Sequence, residues 1–223
     1  MTRTCLKSRI LPSYTKGEEI FNFVTHVVGG AWGVITLALC IFVSVLKGNM
    51  LSLGCGIIFG ISMIALYSVS SIYHALPRGT AKKVFQVLDH CTIYFLIAGT
   101  YTPMLLCGLM RNAPLAALLT LAAVWGLAVL SITLNAIDLK KFKVFSMICY
   151  IGMGWAIIFN IGSMYEALGA EGFALLLGGG IAYTVGTVFY KIGSRKKYFH
   201  SVFHIFVLLG SILQSLSVIL YTL

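Results

Sequence analysis

The stretch KKYFHSVFHIFVLLGSIL, residues 196–213, decides how this chain is read. Two lysines lead into an apolar run, and His200 and His204 stand four residues apart at its mouth. The run from Tyr198 to Leu223 can cross a bilayer, because a hydrocarbon core of ~30 Å needs about 20 helical residues. Upstream, the same reading applies to Ile20–Leu46, Leu51–Leu76, Val84–Met110, Pro114–Ile137, Val144–Leu168 and Gly172–Tyr190. The sequence therefore predicts an all-α, polytopic membrane protein: residues 1–19 as a cytoplasmic N-terminal tail, and 20–223 as a seven-helix transmembrane domain. The segment with Gly178, Gly179 and Gly180 is the shortest of the seven. Pro103 is expected to kink the third helix. Gly29-x-x-x-Gly33 and Gly56-x-x-x-Gly60 would let helices approach closely.

Composition agrees. Of 223 residues, 59% are hydrophobic and 10% charged, against about 25% charged in a soluble domain. Mean hydropathy is +0.97. The first apolar run is too long for a cleaved signal peptide, carries Asn22 and His26, and is followed by no A-x-A site. Six cysteines include no C-x-x-C pair, and all but Cys5 fall in apolar runs, so they read as free buried thiols.

The net charge of +10 is explained by placement. One set of connections holds Arg3, Lys7, Arg9, Lys16, Arg78, Lys82, Lys83, Lys140, Lys141, Lys143, Lys191, Arg195, Lys196 and Lys197. The other side has Lys47 and Arg111. The positive-inside rule puts the N-terminus in the cytoplasm and the C-terminus outside. The basic balance then needs no nucleic acid, and the basic face suits anionic lipid headgroups.

All five histidines, His26, His74, His90, His200 and His204, fall within roughly 15 Å of the cytoplasmic boundary on this topology. Residues used only to bond helices together would scatter over both leaflets. At i and i+4, His200 and His204 share a helix face and can chelate one ion. His74, at matching depth, offers a third nitrogen. Three histidines with an open fourth position are the composition of a catalytic Zn²⁺ site. Imidazole also suits Cu, Ni and Fe. Asp89 is placed to take a proton there. Its neighbour His90, about 100° away around the helix, is expected to flank the site.

Four short motifs carry a resemblance: Glu19-x-x-Asn22-x-x-x-His26, Ser70-x-x-x-His74, the "LDH" that contains Asp89, and His200-x-x-x-His204. In this order on a seven-span chain, they resemble the hemolysin III group of the progestin and adipoQ receptor superfamily. The compact size is similar to the bacterial branch. The resemblance implies a seven-helix fold with one zinc near the cytoplasmic side, held by His74, His200 and His204. Asp89 would contact the zinc-bound water, and Ser70 would face the same cavity. Glu19, Asn22 and His26 would support the ligands, or else cap and pack the first helix. His90 stands where the receptor branch usually has tyrosine. The relation to alkaline ceramidases implies hydrolysis of a membrane lipid amide or ester. Two alternatives are a non-catalytic sensor of membrane state with structural zinc and a pore-forming hemolysin.

Overall fold

The computed structural model describes residues 4, 6, 8–193 and 196–223. Cys5, Arg3, Lys7 and Arg195, which entered the thiol and charge readings, lie outside the described residues. The described chain is helical and contains no strand. Its helices are α1 (Lys16–Leu46), α2 (Met50–Ala75), α3 (Thr80–Pro103), α4 (Pro114–Asp138), α5 (Lys143–Gly154), α6 (Ile161–Gly193) and α7 (Phe199–Ser217). From α1 to α5 each helix packs on the next, and α7 returns against both α6 and α1.

Among the described residues six rods are long and apolar enough to cross a membrane, where seven were expected: Lys16–Leu46, Met50–Ala75, Thr80–Arg111, Pro114–Asp138, Lys143–Gly193 and Phe199–Thr222. The expected fifth and sixth spans fall in one 51-residue stretch. No proline or long polar loop separates them. Helical geometry is interrupted inside α6 only at Gly169, where φ is 69° and ψ 176°, a conformation that favours glycine. At 1.5 Å per residue a straight rod of that length would reach about 75 Å, more than twice a hydrocarbon core.

The outer surface of the bundle is apolar, and its interior combines a hydrophobic core that includes Phe59, Met63, Leu105 and Met164 with buried polar side chains. Val27, Val34, Phe42, Leu119, Val129, Ile148 and Phe159 are exposed, while Asn22, Ser62, Thr102, Asn135 and Ser215 are buried. That distribution suits lipid as solvent, where apolar side chains can face outward and polar ones must find partners within. Trp32 donates to Ser215 Oγ at 2.9 Å, joining α1 to α7. Tyr67 donates to Ser211 Oγ at 2.7 Å, joining α2 to α7. Asn135 donates to the Tyr94 hydroxyl at 3.3 Å and accepts from Ser146 Oγ at 2.7 Å, tying α4 to α3 and α5.

Both glycine motifs lie in the α1–α2 seam. A Cβ on Gly60 would stand 2.8 Å from Leu37 Cα, and one on Gly56 2.7 Å from Cys40 Cβ. Gly29 lies against the Tyr67 ring and Gly33 against Met63 and Ile64. At Pro103 the third rod does not stop; it widens into a π-turn over Met104–Gly108 and tightens over Leu109–Arg111. Proline's missing N–H is absorbed by this change of pitch. The cysteines outside the N-terminal segment, Cys40, Cys55, Cys91, Cys107 and Cys149, are free and buried.

Candidate metal centre

The start of α7 is held in an unusual way. Tyr198, just before the helix, has φ 63°, the left-handed region that costs a bulky residue energy. Its backbone N–H donates to Glu18 Oε1 at 2.7 Å. The other Glu18 oxygen accepts from the Thr15 backbone N–H and hydroxyl, each at 2.8 Å, while Thr15 Oγ1 accepts from Glu18 N at 3.3 Å. This capping box begins α1, so one carboxylate fixes the first turns of both α1 and α7. From that anchored turn His200 and His204 point inward, both buried, with their Nε2 atoms 3.1 Å apart.

His74 comes to the same point from the last turn of α2. Its Nδ1 lies 2.7 Å from Glu19 Oε2. A carboxylate only accepts, so Nδ1 carries a proton, and in the neutral ring that leaves the Nε2 lone pair as the donor to a metal. That Nε2 is buried with no protein partner. Glu19 is held in turn by Lys82, whose Nζ is 2.8 Å from Oε1. Lys82 also donates to the carbonyls of Leu76 (3.0 Å) and His74 (3.4 Å), and lies 5.0 Å from the centre of the Tyr73 ring. Expected as a loop charge, Lys82 is 2% exposed and belongs to the interior.

His74, His200 and His204 each offer a ligating nitrogen, and these all lie within 4.8 Å of one another. Two imidazole nitrogens on a tetrahedral zinc are separated by about 3.3 Å, from Zn–N bonds of ~2.05 Å. The 3.1 Å Nε2 pair is close to that spacing, and the unpartnered Nε2 of His74 supplies a third donor. The residues present therefore fit a three-histidine metal site.

The other expected residues separate by position. Asp89 and Ser70 stand outside the three-nitrogen group but line the same cavity of about 550 Å³ that His200 and His204 reach. His26 also lines it, stacked on His204 with ring centres 3.8 Å apart, and both of its nitrogens lack a protein partner. Asn22 is fully buried, with both amide atoms unpartnered. Glu19 is the one supporting residue bonded directly to a candidate ligand. His90 also lines the cavity: Nδ1 donates to the Gln86 carbonyl at 2.8 Å, leaving Nε2 to accept from the Tyr190 hydroxyl at 3.2 Å.

Tyr14 was not among the residues expected at the site. Its ring stacks on His200, with centres 4.8 Å apart. Burial pushes its phenol well above the usual range, so it stays a neutral hydroxyl. The chain before α1 thus reaches the site. Of the three residues missed, Glu18 had a signal, the T-x-x-E box of Thr15 and Glu18. Lys82 and Tyr14 had none at short range.

Fold and site together define a multi-pass helical protein of the cell membrane with a buried three-histidine centre. A family model described as Haemolysin-III related matches residues 14–215. The chain is 39% identical over 206 residues to Hemolysin-3 of Bacillus cereus, covering 92% of each protein. It is 36% identical over 208 residues to the Hemolysin-3 homolog of Bacillus subtilis (strain 168), covering 93% of this chain and 96% of that one. Similarity extends to the human Monocyte to macrophage differentiation factor, 29% identical over 155 residues, 67% of this chain and 63% of the relative. No solved structure matches. The chain belongs to the hemolysin III family.

Proposed function

We propose that this protein is a zinc-dependent hydrolase acting on a membrane lipid amide or ester, and that it tunes membrane lipid composition. It would cross the membrane seven times, the two arms of the Lys143–Gly193 stretch counting separately, with N-terminus cytoplasmic and C-terminus outside. The observation that carries the reading is the buried group His74, His200 and His204, its ligating atoms all within 4.8 Å of one another at the edge of a large, mainly apolar cavity. A bound zinc supplies Lewis acidity toward water and a carbonyl oxygen. His74, His200 and His204 would hold it through ring nitrogens, with Glu19 fixing the His74 tautomer and Lys82 fixing Glu19. Asp89, at the cavity wall, would accept the proton released by the attacking water and return it to the leaving group. Ser70 would donate a hydrogen bond to the developing oxyanion. The apolar walls suit an acyl chain, and their exclusion of water strengthens each of these interactions.

Two variants test this. His204→Ala should lose the metal; Asp89→Asn should keep metal and fold but lose release of fatty acid from lipid. Absence of lipid turnover by metal-loaded wild type would sink the hydrolase reading and leave a sensor with structural zinc, whereas full turnover by Asp89→Asn would remove Asp89 from the reaction. Dye leakage from liposomes by metal-loaded protein, absent from metal-free protein, would favour the pore-forming alternative.

A further inference from the structure

The cavity has a second polar end, and its key residue is Arg9. This side chain is 8% exposed, yet its Nε and Nη1 have no hydrogen-bond partner. Among the described residues both ion pairs belong to Glu19, so no carboxylate answers Arg9. Asp138, which Thr4 of the same segment reaches, is already committed: it accepts from the backbone N–H groups of Thr4, Lys140 and Lys141 at 2.7, 3.1 and 3.1 Å. A guanidinium removed from water without a counter-charge is strongly unfavourable, so a buried orphan of this kind signals an anion that the chain itself does not provide.

Arg9 belongs to the segment before α1, of which Thr4, Ser8, Ile10, Pro12 and Tyr14 also line the cavity. One end is fixed at Asp138 through Thr4. Its middle is pinned where Arg78 Nη2 donates to the Leu11 carbonyl at 3.2 Å, and its far end is the Thr15 cap of α1. Leu11 is buried beneath it. Lys140 and Lys143 line the same cavity with exposed side chains, and Gln86 lines it with an unpartnered Oε1. Much of the remaining wall is apolar, formed by residues such as Ile97, Met104, Phe173 and Leu176, with Asp89, Ser70 and the histidines among its polar members.

We infer that Arg9, with Lys140 and Lys143 at the rim, holds the negatively charged head of a single-chain amphiphile whose tail lies in the apolar part of the histidine-lined cavity. The head is a carboxylate or a phosphate monoester, both of which suit a guanidinium fork. The inference rests on the reading of this cavity as a lipid site and adds the charge of the lipid. The head lies at the strap and the tail among α3 and α6 residues, with the histidine centre opening on the same space. An anionic amphiphile is therefore selected over a neutral one of equal length.

The test is equilibrium binding to the full chain in phosphatidylcholine nanodiscs, corrected against empty discs. The probes are hexadecanoate, hexadecyl phosphate and hexadecanol. Wild type should hold one or both anions about tenfold or more tighter than the alcohol, the scale of a charge-assisted hydrogen bond. Arg9→Gln should remove most of that preference while the alcohol binds as before; Arg9→Lys should keep part of it. Inorganic phosphate should not displace the bound anion. Equal binding of all three probes by wild type overturns the inference and leaves the lipid cavity standing. So does an unchanged anion preference in Arg9→Gln, or displacement by inorganic phosphate as effective as by hexadecyl phosphate. Failure of every probe, hexadecanol included, overturns the lipid reading as well, and zinc content of the same samples reports on the histidine centre separately.

Discussion

The two ends of the bundle are built from different materials. At the N-terminal end, His74, His200, His204, Glu19, Lys82 and Arg9 come from α1, α2, α3, α7 and the preceding strap, and most have charged or imidazole partners. Toward the other end, Gly56 and Gly60 press on α1, the Ser52 hydroxyl lies 3.7 Å from Cys107 Sγ, and the Thr222 hydroxyl lies 3.5 Å from Met104 Sδ. The second end has little to do but hold rods together, and small residues do that by letting backbones approach. The first end spends buried charge and leaves nitrogens unpaired. Such groups are costly unless something answers them, which is why function is assigned there.

That contrast can be broken in four ways. The largest effect is expected for His204→Ala, which removes one of three ligands and should lower metal affinity by about 100-fold or more, read by metal competition, with little change in the metal-free protein's unfolding. Gly60→Leu should do the reverse. Its side chain has no room against Leu37, so stability should fall by about 1–3 kcal/mol in denaturation, while metal affinity of the folded fraction stays near wild type. Glu19→Gln keeps the shape but weakens the hold on His74, and should cost about 10- to 100-fold in metal affinity. Lys82→Met acts one bond further out and should fall at or below the low end of that range, detected by the same competition. If Gly60→Leu and Glu19→Gln perturbed the same property, the division between the two ends would be wrong.

How much of this was readable in advance follows from the range of each interaction. The rods were legible because bilayer thickness sets a minimum apolar length, and the i, i+4 pair of His200 and His204 because helix geometry is local. Their meeting with His74 was suggested by common depth, which a topology supplies without coordinates. Lys82 was misread as a loop charge because its partner, Glu19, lies 63 positions away and only packing joins them. Arg9 and Tyr14 were placed in a tail because nothing near them in sequence announces that the chain folds back over the cavity. The count of spans differed at Gly169, where a single left-handed residue does what a loop was expected to do. His90, expected to flank the site, lines the cavity with its ring held between the Gln86 carbonyl and the Tyr190 hydroxyl.

The central claim is that one metal ion is bound by His74, His200 and His204. Zinc-edge X-ray absorption on protein purified without added metal tests it most directly. The account predicts about one zinc per chain with imidazole nitrogens at about 2.0–2.1 Å, a signal lost alike in His74→Ala, His200→Ala and His204→Ala. Absence of stoichiometric metal, or a sulfur-ligated metal that survives all three substitutions, would contradict it.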